Sequence, residues 1–160
     1  MSIELRDATP DDVTLILGFI RELAAYEREP DAVKMTEAQL HESLFGTFRR
    51  AEALAVEIDG APQGTALWYE SFNTWTGRPG LSVVDVFVRE AYRGQGVGRA
   101  IFAHLAKLAV QRNYFRMEWQ VLEWNAPAIK FYEGLGATAQ ADWLKYRLSG
   151  EALNALATGG

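Results

Sequence analysis

One stretch constrains the fold of this 160-residue chain more than any other: LSVVDVFVREAYRGQGVGR, from Leu81 to Arg99. Leu81 to Val88 is apolar apart from Ser82 and Asp85, which reads as a strand covered on both faces rather than one with a wet side. Glycines at 94, 96 and 98 follow, and an amphipathic helix pattern opens at once. Glycine admits positive φ and close approach of a ligand, so Arg93-Gly94-Gln95-Gly96-Val97-Gly98 can turn backbone N–H groups outward and hold an anion at a helix N-terminus. An ordinary tight turn meets the same description. The dinucleotide pattern G-x-G-x-x-G fails, because Arg99 or Ile101 stands where the last glycine belongs, and no Gly-Lys-Ser/Thr completes a P-loop. Asp85 is the anomaly, a carboxylate inside an apolar strand.

Upstream, Ile3 to Arg6 reads as a strand, and Thr9-Pro10-Asp11-Asp12 as a helix start. Val13, Ile16, Leu17, Ile20, Leu23 and Ala24 keep the 3.6-residue period of a helix ending near Tyr26-Glu27. Thr36 with Gln39 three residues on forms a capping box for a second helix that carries Leu40, Leu44 and Phe45 and stops at Gly46. Ala51 to Ile58 and Gln63 to Tyr69, joined at Asp59-Gly60, predict an antiparallel hairpin. Ser71 to Gly80 reads as a turn-rich loop carrying Phe72 and Trp75. Downstream, Val97, Ile101, Leu105 and Leu108 mark a helix reaching Arg112, and Phe115 to Val121 predicts a strand with Met117, Trp119 and Val121 on one side. Asn125-Ala126-Pro127 starts a short helix to Glu133, Trp143 to Leu148 predicts a last strand, and the tail frays after at best a short helix.

Apolar residues make up 49% of the chain, enough for one good core in a single domain over 1–160. There is no cysteine, which excludes disulfides, thiolate metal sites and a cysteine nucleophile. His41 and His104 lack ligand partners at metal spacing, so no metal is expected. A net charge of −5 argues against nucleic acid as a partner and mildly favours cationic ligands. The N-terminus does not read as a signal peptide and no apolar run approaches spanning length; the expectation is a cytoplasmic protein without a membrane partner.

The glycine turn does not stand alone. Asp85-x-Phe87-Val88, Tyr92-Arg93-Gly94-x-Gly96-x-Gly98 and Trp124-Asn125-x-Pro127-Ala128-x-x-Phe131-Tyr132-x-x-x-Gly136 together resemble the GNAT superfamily of N-acetyltransferases, and the likeness covers nearly the whole chain. Glu22-Leu23-Ala24-x-Tyr26-Glu27, Trp75-x-Gly77 and Glu123-Trp124-Asn125 make it most similar to the diamine (spermidine/spermine) acetyltransferases and their bacterial relatives. The resemblance implies an α/β (α+β) fold with a central mixed, mostly antiparallel sheet of about six to seven strands and about four flanking helices.

It also implies acetyl-CoA as cosubstrate. Its pyrophosphate would lie on Arg93 and the N–H groups of Gly94, Gln95, Gly96, Val97, Gly98 and Arg99, and its pantetheine arm would run along the backbone of Val86, Phe87 and Val88. Asn125, Ala126, Pro127 and Ala128 would flank that arm. Tyr132 corresponds to the acid that protonates the departing thiolate, a role suited to a phenol, which is protonated near neutral pH; on the residues alone, a Tyr packed beside Phe131 serves as well. The resemblance assigns the acceptor amine to Tyr26, Glu27, Trp75, Val84, Asp85 and the segment Glu118-Trp119-Gln120. The subfamily has a Glu-Asp pair where this chain has Val84-Asp85, and the missing glutamate is the one associated with the substrate amine. Asp85 and Glu118 are therefore the candidate bases, although in a regular strand Asp85 points to the face opposite position 84. The reaction implied by the resemblance is direct acetyl transfer, without a covalent enzyme intermediate, to a primary amine of a small cationic metabolite, by a homodimer. A peptide or protein N-acetyltransferase and a CoA-binding sensor domain are the rivals.

Overall fold

A 3₁₀ turn over Pro10–Asp12 leads into the first helix, and its geometry follows from one buried carboxylate. Asp12 accepts from the Thr9 backbone N–H at 2.7 Å and from both terminal nitrogens of Arg6 at 2.8 and 2.9 Å, while Arg6 Nε donates to Glu57. The Arg6 hydrogen bonds hold the Asp12 carboxyl down to about 2, against the opposing effect of its burial. Helix α1 (Val13–Tyr26) thus starts locked to strand β1 (Ile3–Asp7). The capping box at Thr36 forms as expected, with Gln39 N–H donating to Thr36 Oγ1 and Thr36 N–H to Gln39 Oε1, and opens α2 (Glu37–Phe45).

The structure, a computed structural model, describes residues 1–159. These fall into two compact units, Met1–Trp124 and the remainder from Asn125. In the first, β1, β2 (Glu52–Ile58), β3 (Ala61–Asn73), β4 (Arg78–Val88) and β5 (Met117–Glu118) form one sheet in sequence order. The first four are antiparallel; β5 returns parallel to β4 after helix α3 (Val97–Gln111). Helix α3 buries Val97, Ile101, Phe102, Leu105 and Ala109, and four of these join Leu54, Val56, Ala66, Trp68, Leu81 and Val83 in the core on one face of the sheet. On the other face Val13, Ile16 and Leu17 of α1 and Leu40 and Leu44 of α2 pack with Ala53 and Leu67. No helix among the described residues is long and apolar enough to cross a membrane.

Three expectations need correction. Ser71 to Gly80 is mostly strand: β3 runs on to Asn73 and β4 starts at Arg78, so the turn chemistry occupies only residues 74–77. Asn73 Oδ1 accepts from the N–H groups of Trp75 and Thr76 at 3.0 and 2.9 Å, and Gly77 takes φ 65°, which closes the hairpin in that short span. The strand expected over Phe115 to Val121 shrinks to Met117–Glu118, because its pairing with β4 stops at Ser82↔Glu118. Trp143 to Leu148 forms no strand: among the described residues no strand pairs with it, and Trp143, Leu144 and Tyr146 are exposed. The sheet accordingly has five strands rather than six or seven, with five α-helices; the second unit holds α4 (Ala126–Gly134) and α5 (Gly150–Ala157).

Candidate active site

The glycine turn begins where β4 ends. A 3₁₀ turn over Glu90–Tyr92 delivers the chain to Gly94 at φ 73° and Gly96 at φ 86°, the latter capping α3. Ala100 N–H is the group that bonds back to the Gly96 carbonyl, at 3.0 Å, so the N–H groups of Val97, Gly98 and Arg99 form the free first turn with the positive end of the helix dipole behind them. A Cβ built at Gly94 or Gly96 would meet nothing within 4 Å, so the chain itself leaves this space to a ligand. Arg93 is turned inward: its Nε donates to the Val88 carbonyl at 2.8 Å, and its guanidinium lies 4.7 Å from the Tyr26 ring centroid and 5.6 Å from that of Phe87. Gln95 Nε2 braces the turn by donating to Ala91 O at 2.8 Å.

Strand β4 is not regular. Leu67 faces Asp85 and Trp68 faces Val83, which leaves Val84 as an extra residue, a β-bulge. Its effect is readable from packing. Leu81 and Val83 lie in the α3-side core before the bulge, Val86 and Val88 after it, so the parity of the strand changes at Val84. Phe87, two residues beyond Asp85, packs on Phe19 of α1 at 5.7 Å between centroids. The bulge therefore turns Asp85 to the α1 face, and corrects the expectation from a regular strand. Val84 itself is 52% exposed.

On that face two carboxylates interact. Burial raises the Asp85 carboxyl above its ordinary value, and burial together with the charge of Asp85 raises Glu27, at the end of α1. Each is thereby a better proton acceptor near neutral pH than a solvated carboxylate, and the pair is short of positive charge. Beyond Ser82, moreover, β4 has β3 on one side and no strand on the other among the described residues. Backbone from Val83 to Val88 is open there to an extended arm.

A strand edge left open beside a bulge, running into an anion-ready helix start, is shared with known proteins. The model of the Acetyltransferase (GNAT) family matches residues 17–137. The chain belongs to the GNAT acetyltransferase family. It is 37% identical to the thialysine N-epsilon-acetyltransferase of Sus scrofa over 98% of both chains. It is 30% identical to the human spermidine/spermine N(1)-acetyltransferase-like protein 1, over 94% of this chain and 23% of that one. Among solved structures, an integron cassette protein from the mobile metagenome of V. cholerae superposes with a TM-score of 0.82 at 27% identity, covering 98% of each chain.

GNAT enzymes take acetyl-CoA as cosubstrate, and the residues present fit it: an empty glycine cradle for the pyrophosphate and an unpaired strand edge for the pantetheine arm. Gly96→Ala tests the cradle. The substitution forces an L-residue into the left-handed region, costing about 1–2 kcal/mol of stability, and its methyl enters the ligand space. We expect KM for acetyl-CoA to rise about tenfold in steady-state assays; an unchanged KM in a folded variant would remove the turn from the cofactor site.

The other expected GNAT site residues are spread more widely. Glu118 lies opposite Ser82 at the end of the β4–β5 pairing, its carboxylate engaged by Arg116, and Trp119 packs on Phe102 at 4.8 Å. Trp75 sits at the tip of the β3–β4 hairpin, 86% exposed. Six β3 residues separate Asn73 from Leu67, the partner of Asp85, so the tip stands about 20 Å along the strand from that carboxylate. Within one chain Trp75 and Asp85 are not brought together. In the second unit Asn125 Oδ1 accepts from the Ala128 N–H at 3.4 Å, Pro127 occupies the first turn of α4, and Tyr132 stacks beside Phe131 at 5.6 Å. Two contacts lie beyond any reading of the sequence: Phe19 on Phe87, and Arg28 over Trp124 at 3.8 Å. Phe19 lies outside the apolar stripe of α1, and nothing in the spacing of Arg28 and Trp124 signals a contact. Among the described residues no group of three or more His, Asp or Glu side chains is arranged to hold a metal ion.

Proposed function

We propose that this GNAT acetyltransferase moves the acetyl group of acetyl-CoA directly to a primary amine of a small cationic metabolite, a polyamine, diamine or lysine-like amino acid. The observation that carries the reading is the Asp85–Glu27 pair on the α1 face, raised carboxylates short of positive charge beside the open edge of β4. The names of the relatives point to the same class of acceptor.

In chemical terms an ammonium acceptor is drawn to the pair and gives one proton to Asp85. The neutral nitrogen attacks the thioester carbonyl, forming the N–C bond, and backbone N–H groups of the open strand edge stabilise the oxyanion. Collapse breaks the C–S bond, and Tyr132, by the role its motif implies, supplies the proton that leaves with the CoA thiol. Arg93 acts as a brace between the turn, β4 and α1. A homodimer is the remaining part of the proposal, supported by the exposed apolar residues Phe72, Trp75, Trp143, Leu144 and Tyr146.

Incubation with acetyl-CoA and a panel of diamines, polyamines, dibasic amino acids and lysine peptides, followed by free-thiol release, tests all of this. The expected result is turnover on small dibasic amines by a species of twice the 17.9 kDa chain mass. Turnover confined to peptides would overturn the small-amine reading in favour of a protein acetyltransferase. Tight CoA binding with no amine-dependent thiol release would leave a sensor.

A further inference from the structure

Immediately after Glu27 the chain turns through Arg28 at φ 66°, in the left-handed region that non-glycine residues seldom occupy. Its guanidinium lies over Trp124, 3.8 Å from the ring centroid. Trp124 meets Tyr26 at 6.2 Å, and Tyr26 carries Arg93 at 4.7 Å. The stack thus runs from the end of β4, through Tyr26 and Trp124, to the turn that holds Glu27.

The two arginines in it are spent differently. Arg93 gives its Nε to the Val88 carbonyl, whereas Arg28 forms no ion pair with any described carboxylate, although the chain carries 21 acidic residues and two of them, Glu27 and Glu29, adjoin it. Stacking occupies the flat face of a guanidinium and leaves the in-plane N–H donors at its edge, the fork geometry that matches a carboxylate. Trp124 fixes that fork beside Glu27.

We propose that Arg28 binds the α-carboxylate of the acceptor, so that the preferred substrate is an α-amino acid with a distal primary amine rather than a plain diamine or polyamine. The inference rests on the small-amine reading and narrows it. Glu27 then meets the α-ammonium and Arg28 the α-carboxylate of the same zwitterionic head, while the distal amine reaches Asp85. Polyamines would satisfy both carboxylates but leave Arg28 unmatched.

Matched pairs that differ only in the carboxylate decide this: lysine against cadaverine and ornithine against putrescine, each as kcat/KM. The wild-type protein is expected to favour the amino acid of each pair. Because a hydrogen bond to a charged group contributes enough for about a 10- to 100-fold effect, Arg28→Gln is expected to shrink the lysine-to-cadaverine ratio by that factor, mainly through KM of the amino acid, with Arg28→Lys restoring part of it. A ratio unchanged in Arg28→Gln, or a wild-type preference for the diamines, overturns the assignment while the small-amine reading stands. No turnover of any of the four amines by the wild type sinks that reading as well, and so the two failures are told apart.

Discussion

Asp85→Asn is expected to lower kcat/KM for the amine about 100-fold or more, the usual range for loss of a positioned base, with KM for acetyl-CoA within about twofold of wild type. The carboxylate reaches the α1 face only because Val84 is bulged out, and an amide keeps its shape while removing its basicity. Burial raises the Asp85 carboxyl, so wild-type activity should climb with pH through that raised value; in the variant this low-pH limb should vanish. Stability should move the other way. A carboxyl whose folded-state value is raised contributes fully below its unfolded value and loses that contribution as pH rises through the folded one. At neutral pH the ionised, partly buried Asp85 therefore costs stability, and Asp85→Asn should melt higher than wild type, with the gain gone near about pH 3, where both side chains are neutral. A slower yet more stable variant separates a working carboxylate from a structural one. Glu118→Gln is the control: a lost limb there and a retained one in Asp85→Asn would move the role to Glu118, and two retained limbs would give it to water.

Tyr132→Phe should be nearly as damaging, with kcat lowered about 100-fold and KM for acetyl-CoA little changed. Phenylalanine keeps the ring that packs beside Phe131, so what is removed is the hydroxyl alone. Loss in kcat without loss in KM is the mark of a group acting in the transition state rather than in binding. The check is steady-state thiol release together with a single-turnover measurement. An unchanged kcat, with acetyl transfer shown to limit the rate, would return Tyr132 to a packing role.

Much of the first unit can be read locally. The capping box of α2 and the apolar face of α3 depend on residues three to four apart, and the glycine turn on adjacent ones; all three form as expected. The failures share a different property. How far β5 pairs, whether residues 143–148 become a strand, and how long the β3–β4 hairpin runs are decided by the neighbouring strand, which no local pattern contains. Phe19 escapes a local reading for the same reason, its partner Phe87 being 68 residues away.

The Leu81–Arg99 stretch divides along this line. Sequence alone determined that a buried strand feeds a glycine turn and a helix start, because backbone freedom at Gly94 and Gly96 and the apolar period of α3 are properties of the chain itself. It also determined the family, through motifs spread over most of the length. Tertiary structure decided which way Asp85 faces. Sequence writes a strand as strict alternation, but side-chain direction in a sheet is set by register against the partner strand, and one unpaired residue at Val84 reverses it. That reversal puts the carboxylate on the side of Glu27, and with it the chemistry proposed for this site.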